Sequence, residues 1–197
     1  MIASGSWTIS SLIKVETKKM YKIRTLTKPE REKDLTQIIS LVNEAFLEDA
    51  FFKKPEKQQR LKTSKDDPKG VDSIEDVLTN SEFIVCEDAK EILGCIRVEV
   101  ISASVASFGM VSVPSRNQRK GIGRMLVKAA ESWATEHGSH RIEISVVNIR
   151  TPVIQFYEHL GYVAFGYPVD FDEMLGGEFL SDEYKGTVKF IWMAKDI

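Results

Sequence analysis

Gly121 and Gly123 stand within a cationic run that holds Arg116, Gln118, Arg119, Lys120 and Arg124. Glycine has no Cβ, so main-chain N–H groups at the start of a helix can close on an anion that a side chain would hold off. Those amides, the positive end of the helix dipole and the surrounding cations suit a pyrophosphate. The plainer alternative is a solvated loop, because a bare G-x-G is a weak signal. The run is not a Walker A loop, since no Lys-Ser/Thr pair follows the glycines. Nor is it the dinucleotide pattern, which needs a third glycine where Leu126 stands.

Such a loop works only if a strand and a helix hold it. Residues 108–113 are a short apolar segment and 114–117 a polar turn, and Ile122, Met125, Leu126, Ala129, Ala130 and Trp133 then recur at helical spacing. Strand, loop, helix is the reading, with Gly138 placed to end the helix in a left-handed conformation. Ile142, Ile144 and Val146 alternate in the next strand, 141–147. Thr151 and Pro152 read as N-cap and first residue of a helix that carries Val153, Ile154, Phe156, Tyr157 and Leu160 and closes at Gly161.

Upstream, Tyr21, Ile23 and Thr25 alternate as in a strand. Thr27 and Glu30 have capping-box spacing ahead of the stripe Leu35, Ile38, Ile39, Val42, Ala45 and Phe46, which predicts a helix of about 15 residues. Residues 50–52 look like a helix end and 53–70 like an exposed loop. Ser73 and Asp76 then suggest a short helix with Ile74, Val77 and Leu78. Residues 83–86 and 92–100 should pair as a hairpin, and two last strands fall near 162–167 and 187–194 with an acidic, glycine-rich loop between them.

This order, with Gln118, Gly121 and Gly123 in the three fixed places of Gln/Arg-x-x-Gly-x-Gly/Ala, resembles the GNAT superfamily of N-acetyltransferases from about residue 20 to the C-terminus. The resemblance implies an α/β (α+β) fold with a mixed, mostly antiparallel central sheet flanked by helices, and acetyl-CoA as cofactor. It implies that the strands at 108–113 and 141–147 splay apart, with the pantetheine arm between them on the main chain of Met110, Val111, Ser112 and Val113. Gln118, Arg119, Lys120, Gly121, Ile122, Gly123 and Arg124 would then hold the pyrophosphate.

Residues 156–162, Phe-Tyr-Glu-His-Leu-Gly-Tyr, are similar to the segment whose tyrosine, here Tyr157, commonly protonates the leaving thiolate. Half-buried packing is its alternative role. Asn148 resembles an asparagine that bonds the coenzyme in many relatives, although it stands farther from Tyr157 than that asparagine does; helix capping or loop geometry is the other reading. Some relatives begin the strand before the loop with a basic glutamate, and Ser107 occupies that place here. Glu99 is therefore the expected general base, with Glu44, Glu48 or a water chain as alternatives.

With 197 residues, 43% of them hydrophobic, the chain can fill one ordinary core and is short for two. One domain over 20–197 is expected, with 1–19 as a flexible extension. A net charge of −2 and a pI near 6.0 give no field that would draw the chain to nucleic acid or an anionic membrane. No apolar run reaches the roughly 18 residues a bilayer needs, so a cytoplasmic protein, monomer or homodimer, is expected. Cys86 and Cys95 read as small buried hydrophobes, and His137, His140 and His159 lack partners at ligand spacing, so no metal is expected.

The function implied is transfer of acetyl from acetyl-CoA directly to a primary amine of a small molecule. Two alternatives share the fold: a coenzyme A-binding regulatory module without turnover, and an acetyltransferase of protein lysines or N-termini. Asp170, Asp172, Glu173, Glu178, Asp182 and Glu183 occur with no Lys or Arg among them, which would attract a cationic acceptor or simply make an exposed acidic loop.

Overall fold

Apolar residues on both faces of the central hairpin build the middle of the sheet. In β4 (Glu82–Glu87) and β5 (Ile92–Val100), Ile84, Cys86, Ile96 and Val98 point to one face and Phe83, Val85 and Cys95 to the other. A strand buried on both faces needs a helix on each, and the chain supplies them. The first face takes α3 (Ile122–Glu136) and the second takes α1 (Lys28–Phe46) with α2 (Ile74–Asn80). This computed structural model describes residues 21–26, 28–46, 60–62, 72–88, 91–175 and 180–197.

The remaining elements are β1 (Lys22–Thr25), β2 (Leu61–Lys62), β3 (Asp72–Ser73), β6 (Val105–Ser112), β7 (Arg141–Val147), α4 (Thr151–Glu158), β8 (Val163–Asp170), α5 (Phe171–Leu175) and β9 (Lys189–Asp196). Seven strands form one sheet in the order β1-β4-β5-β6-β7-β9-β8. Every neighbouring pair is antiparallel except β6 with β7. The mixed, mostly antiparallel sheet flanked by helices is the fold that the sequence implied.

Arg24 fastens the first edge: its Nε donates to Glu87 at 2.9 Å and its Nη2 to Asp34 at 2.7 Å, joining β1, β4 and α1. Gly138 and Gly161 close α3 and α4 with φ of 80° and 90°, as their places in the sequence predict. Cys86 and Cys95 are free and buried on opposite faces, and burial raises the pKa of both thiols. Among the described residues no helix is long and apolar enough to cross a membrane.

Some expectations need correction. Strand β6 begins at Val105, earlier than the segment 108–113 suggests. Thr151 is already helical, with Arg150 as the N-cap. The run 53–70 is not simply an exposed loop, because Leu61 is fully buried in the core beneath α1. The last connection contains α5, which the acidic composition concealed. The extension at 1–19, the cap formed by Thr27 and Glu30, the helix end at 50–52, and Glu48 and Glu178 lie outside the described residues and side chains.

Candidate active site

The site begins where two strands part. β6 and β7 pair in parallel only at Val105 with Arg141 and Ala106 with Ile142, and beyond Ala106 β6 has no partner on that side. On its other side, β5 matches Cys95 to Ser112 but Arg97 to Gly109, so Met110 and Val111 together oppose Ile96. That is a β-bulge, and Met110 adopts φ 49° within it. The bulge turns the Met110 side chain into the core beside α1. A cavity of about 630 Å³ opens in the gap.

At the end of β6 the chain makes one turn of 3-10 helix, Ser115–Asn117, before α3. The turn is tied back on itself: Gln118 Nε2 donates to the Val113 carbonyl at 2.9 Å, and Lys120 Nζ donates to the Arg116 carbonyl at 2.6 Å and to Asn117 Oδ1 at 3.1 Å. Arg116 is paired with Glu44 of α1. Arg119 and Gly121 both take left-handed conformations, φ 60° and 80°, which turn successive peptide planes as the chain enters α3.

A Cβ built on Gly121 would meet nothing within 4 Å, so the constraint there is the backbone conformation and the space above it is open. The first turn of α3 carries no acidic residue, while Arg119 and Arg124 line the cavity. An anionic group fits this cradle. Gly121→Ala is expected to cost roughly 1 kcal/mol through its left-handed φ, which a small fall in melting temperature would register.

On the same side of the sheet, α4 brings Tyr157 to the cavity wall. Its ring is buried among Phe108, Phe156 and Tyr162, with centroids 5.8, 5.2 and 5.8 Å away. The hydroxyl makes no hydrogen bond within the described residues. Burial raises the phenol's pKa well above its ordinary value, and the charge of Arg150 offsets part of that rise. The group therefore stays protonated at neutral pH and faces the cavity as a proton donor.

The gap continues through the sheet to the face of α1. There Arg97 and Gly109, paired across β5 and β6, stand with Arg60 on one flank, and Phe171, Leu175 and Phe190 form the other. Phe171 of α5 stacks on Phe190 of β9 at 4.8 Å. Sequence reasoning missed all five of these side chains. Arg97 is one polar residue within the strand run 92–100, and Arg60 lies in the polar run 53–70, so neither carries a local signal of its own.

The expected site residues fall into two groups. Met110, Val111, Val113, Gln118, Arg119, Gly121, Ile122, Gly123, Arg124 and Tyr157 line one cavity. Ser112, Lys120, Asn148 and Glu99 are not among the lining residues. Ser112 is buried with its Oγ on the Met110 carbonyl, 3.1 Å away. Asn148 donates Nδ2 to the Thr187 carbonyl and accepts from the Lys189 amide, each at 2.9 Å, so it clips β7 to β9. Glu99 accepts from Arg97 Nη2 at 2.6 Å.

The described carboxylates of the acidic stretch do not line the cavity either. Asp170 Oδ1 accepts from the amides of Asp172 and Glu173 and so caps α5, while Asp182 pairs with Lys185. Among the described residues, the charged side chains that line the cavity are Arg60, Arg97, Arg119, Arg124 and Arg150, with no carboxylate.

Known proteins share this architecture. The chain is 25% identical over 91 residues to an uncharacterized N-acetyltransferase of Chlorobaculum tepidum, covering 46% of this chain and 56% of that protein. It is 32% identical over 76 residues to the streptothricin acetyltransferase of Streptomyces lavendulae, covering 32% and 40%. The chain thus spans about half the length of the curated relatives it matches. A GNAT family acetyltransferase of Elizabethkingia anophelis, solved with acetyl-CoA bound, has the same fold, with a TM-score of 0.59 at 16% identity over 90% of this chain and 98% of that one. Residues 37–162, which include the bulged strand, the turn, α3 and Tyr157, match the model of the acetyltransferase (GNAT) family, and the chain belongs to that family.

Proposed function

We propose that the chain is an N-acetyltransferase that moves the acetyl group of acetyl-CoA directly to a primary amine of a small molecule. The observation that carries this reading is the parting of β6 from β7, which joins the turn at 113–124 and the Tyr157 hydroxyl in one cavity. The main chain of 118–124, with Arg119 and Arg124, would hold the pyrophosphate, and the unpaired edge of β6 from Met110 to Val113 would hold the pantetheine arm. Bound there, acetyl-CoA supplies an activated thioester carbonyl.

Tyr157 Oη gives its proton to the sulfur as the C–S bond breaks and the new C–N bond forms. It recovers a proton from solvent, and the amine releases its surplus proton to solvent. Glu99 enters at one remove, by fixing Arg97. Asn148 enters as a support for the β7–β9 edge.

The test is thiol release from acetyl-CoA with a panel of amino acids, polyamines, arylamines and lysine peptides, together with mass analysis of the acceptor. Acceptor-dependent release with a gain of one acetyl group supports the proposal. Coenzyme binding without release for any acceptor favours a regulatory module instead.

The pH profile gives a further expectation. An acid works only while protonated, so Tyr157 loses function as pH rises through its folded pKa, which burial sets above the ordinary phenol value of about 10. kcat/KM should therefore rise as the amine deprotonates and show no falling limb up to about pH 10. A falling limb near pH 8 would assign the acid to another group.

A further inference from the structure

Two arginines on the α1 face of the cavity are not accounted for by a coenzyme held at the other end. Arg97 alternates with Ile96 and Val98, which pack under α3, so its side chain lies on the opposite face from that helix. Its Nη2 bonds Glu99, but its Nε is buried with no hydrogen-bond partner. A buried donor left unpaired costs free energy that an incoming acceptor atom would recover. Gly109, opposite Arg97 in β6, lies against the guanidinium: a Cβ there would stand 3.6 Å from Nη2 and 3.9 Å from Nε, at ordinary contact distance.

Arg60 reaches the same wall by a different route. Asn43 of α1 clamps the next residue, donating Nδ2 to the Leu61 carbonyl at 3.0 Å and accepting from the Leu61 amide at 2.9 Å. Asp72 holds the guanidinium at 2.7 Å, and its amide donates to the Arg60 carbonyl at 3.0 Å. Burial lowers the pKa of Arg60; the charge of Asp72 opposes that shift and the charge of Arg97 adds to it. Among the described residues Arg60 pairs with Asp72 and Arg97 with Glu99, and neither carboxylate lines the cavity. Fixed, partly desolvated guanidinium groups lining one cavity suit a planar carboxylate.

The opposite flank is apolar. Val147 packs with Phe171 and Phe190, whereas Ile144 and Val146 point under α3, so this wall faces the same side of the sheet as Arg97. Building on the transferase reading, we propose that the acceptor is an amine bearing both a carboxylate and an apolar body, the simplest being an amino acid with a large apolar side chain. Its carboxylate sits on Arg97 and Arg60, its side chain lies against Phe171, Leu175 and Phe190, and its amine is directed into the gap between β6 and β7.

The experiment compares phenylalanine, leucine and methionine with their carboxamides, in the wild type and in Arg97→Gln and Arg97→Lys. Thiol release gives kcat/KM, and calorimetry gives binding to the full chain saturated with coenzyme A. At least one amino acid is expected to exceed its amide by on the order of ten- to a hundredfold, the worth of a charge-assisted hydrogen bond. Arg97→Gln should bring that ratio close to one, and Arg97→Lys should retain part of it. A merely structural arginine would depress both members of a pair alike.

Equal or better use of every amide, an unchanged ratio in Arg97→Gln, or no binding of any amino acid overturns the proposal. The two readings fail separately. Binding that prefers the carboxylate without thiol release would overturn the transferase reading and leave the carboxylate site. Release from uncharged amines alone would do the reverse.

Discussion

Tyr157→Phe is expected to lower kcat by about 10²-fold or more at pH 7 while leaving the melting temperature and coenzyme binding nearly unchanged. The separation follows from the packing. The ring touches Phe108, Phe156 and Tyr162, and the substitution keeps those contacts. The hydroxyl bonds no described residue, so its removal orphans no donor or acceptor. What is lost is a proton held ready at the cavity wall by burial. The deficit should stay constant from pH 6 to about pH 10, because burial keeps the proton on the phenol throughout and unassisted departure of a thiolate does not depend on pH. No deficit, or one that comes with a large loss of stability or of coenzyme binding, would show that the tyrosine packs or orients rather than donates.

Gly94→Ala should strike both the fold and the coenzyme site, although Gly94 lies within β5 and carries no side chain. A Cβ there would stand 2.9 Å from the Ser112 carbonyl oxygen, 3.1 Å from Val113 Cγ2 and 3.2 Å from Ile122 Cγ2. The first of these is backbone and cannot swing aside. To admit a methyl group, β5 must separate from the end of β6 and from the first residue of α3, the two elements that hold the turn. The expected cost is roughly 1–3 kcal/mol, as for an overpacked core, with a melting temperature several degrees lower and weaker binding of acetyl-CoA. Gly109→Ala is the control, since its Cβ would meet only Arg97 side-chain atoms at ordinary contact distance, and it should not lower the melting temperature. Equal melting temperatures for the two variants would contradict the role given to Gly94.

Much of the scaffold was legible because it is written in local patterns. The period-two run at 141–147 and the helical stripe from Ile122 to Trp133 report burial by a neighbouring layer, the apolar run at 92–100 reports burial on both faces, and each became the element expected. Gly121 and Gly138 fell where the chain needs φ near 80°, a demand that adjacent residues impose. The acidic stretch misled for the same reason. Composition records charge but not direction, and Asp170 turned its carboxylate to the amides of α5 while Phe171 and Leu175 took the cavity wall.

The order of the elements, the strand, turn and helix around Gly121, and the tyrosine on the last helix before β8 were set by the sequence alone, since each depends on residues within a turn or two of itself. The acceptor end was not. Arg60 joins Arg97 among the lining residues of one cavity only because Asn43 clamps Leu61 across 18 residues and because β5 and β6 keep a register interrupted by the bulge at Met110. Tyr157 meets the turn only because β7 leaves β6 after two pairs. Such convergences follow from register, bulge and layer packing, which bring distant segments together and leave no periodic trace in the chain.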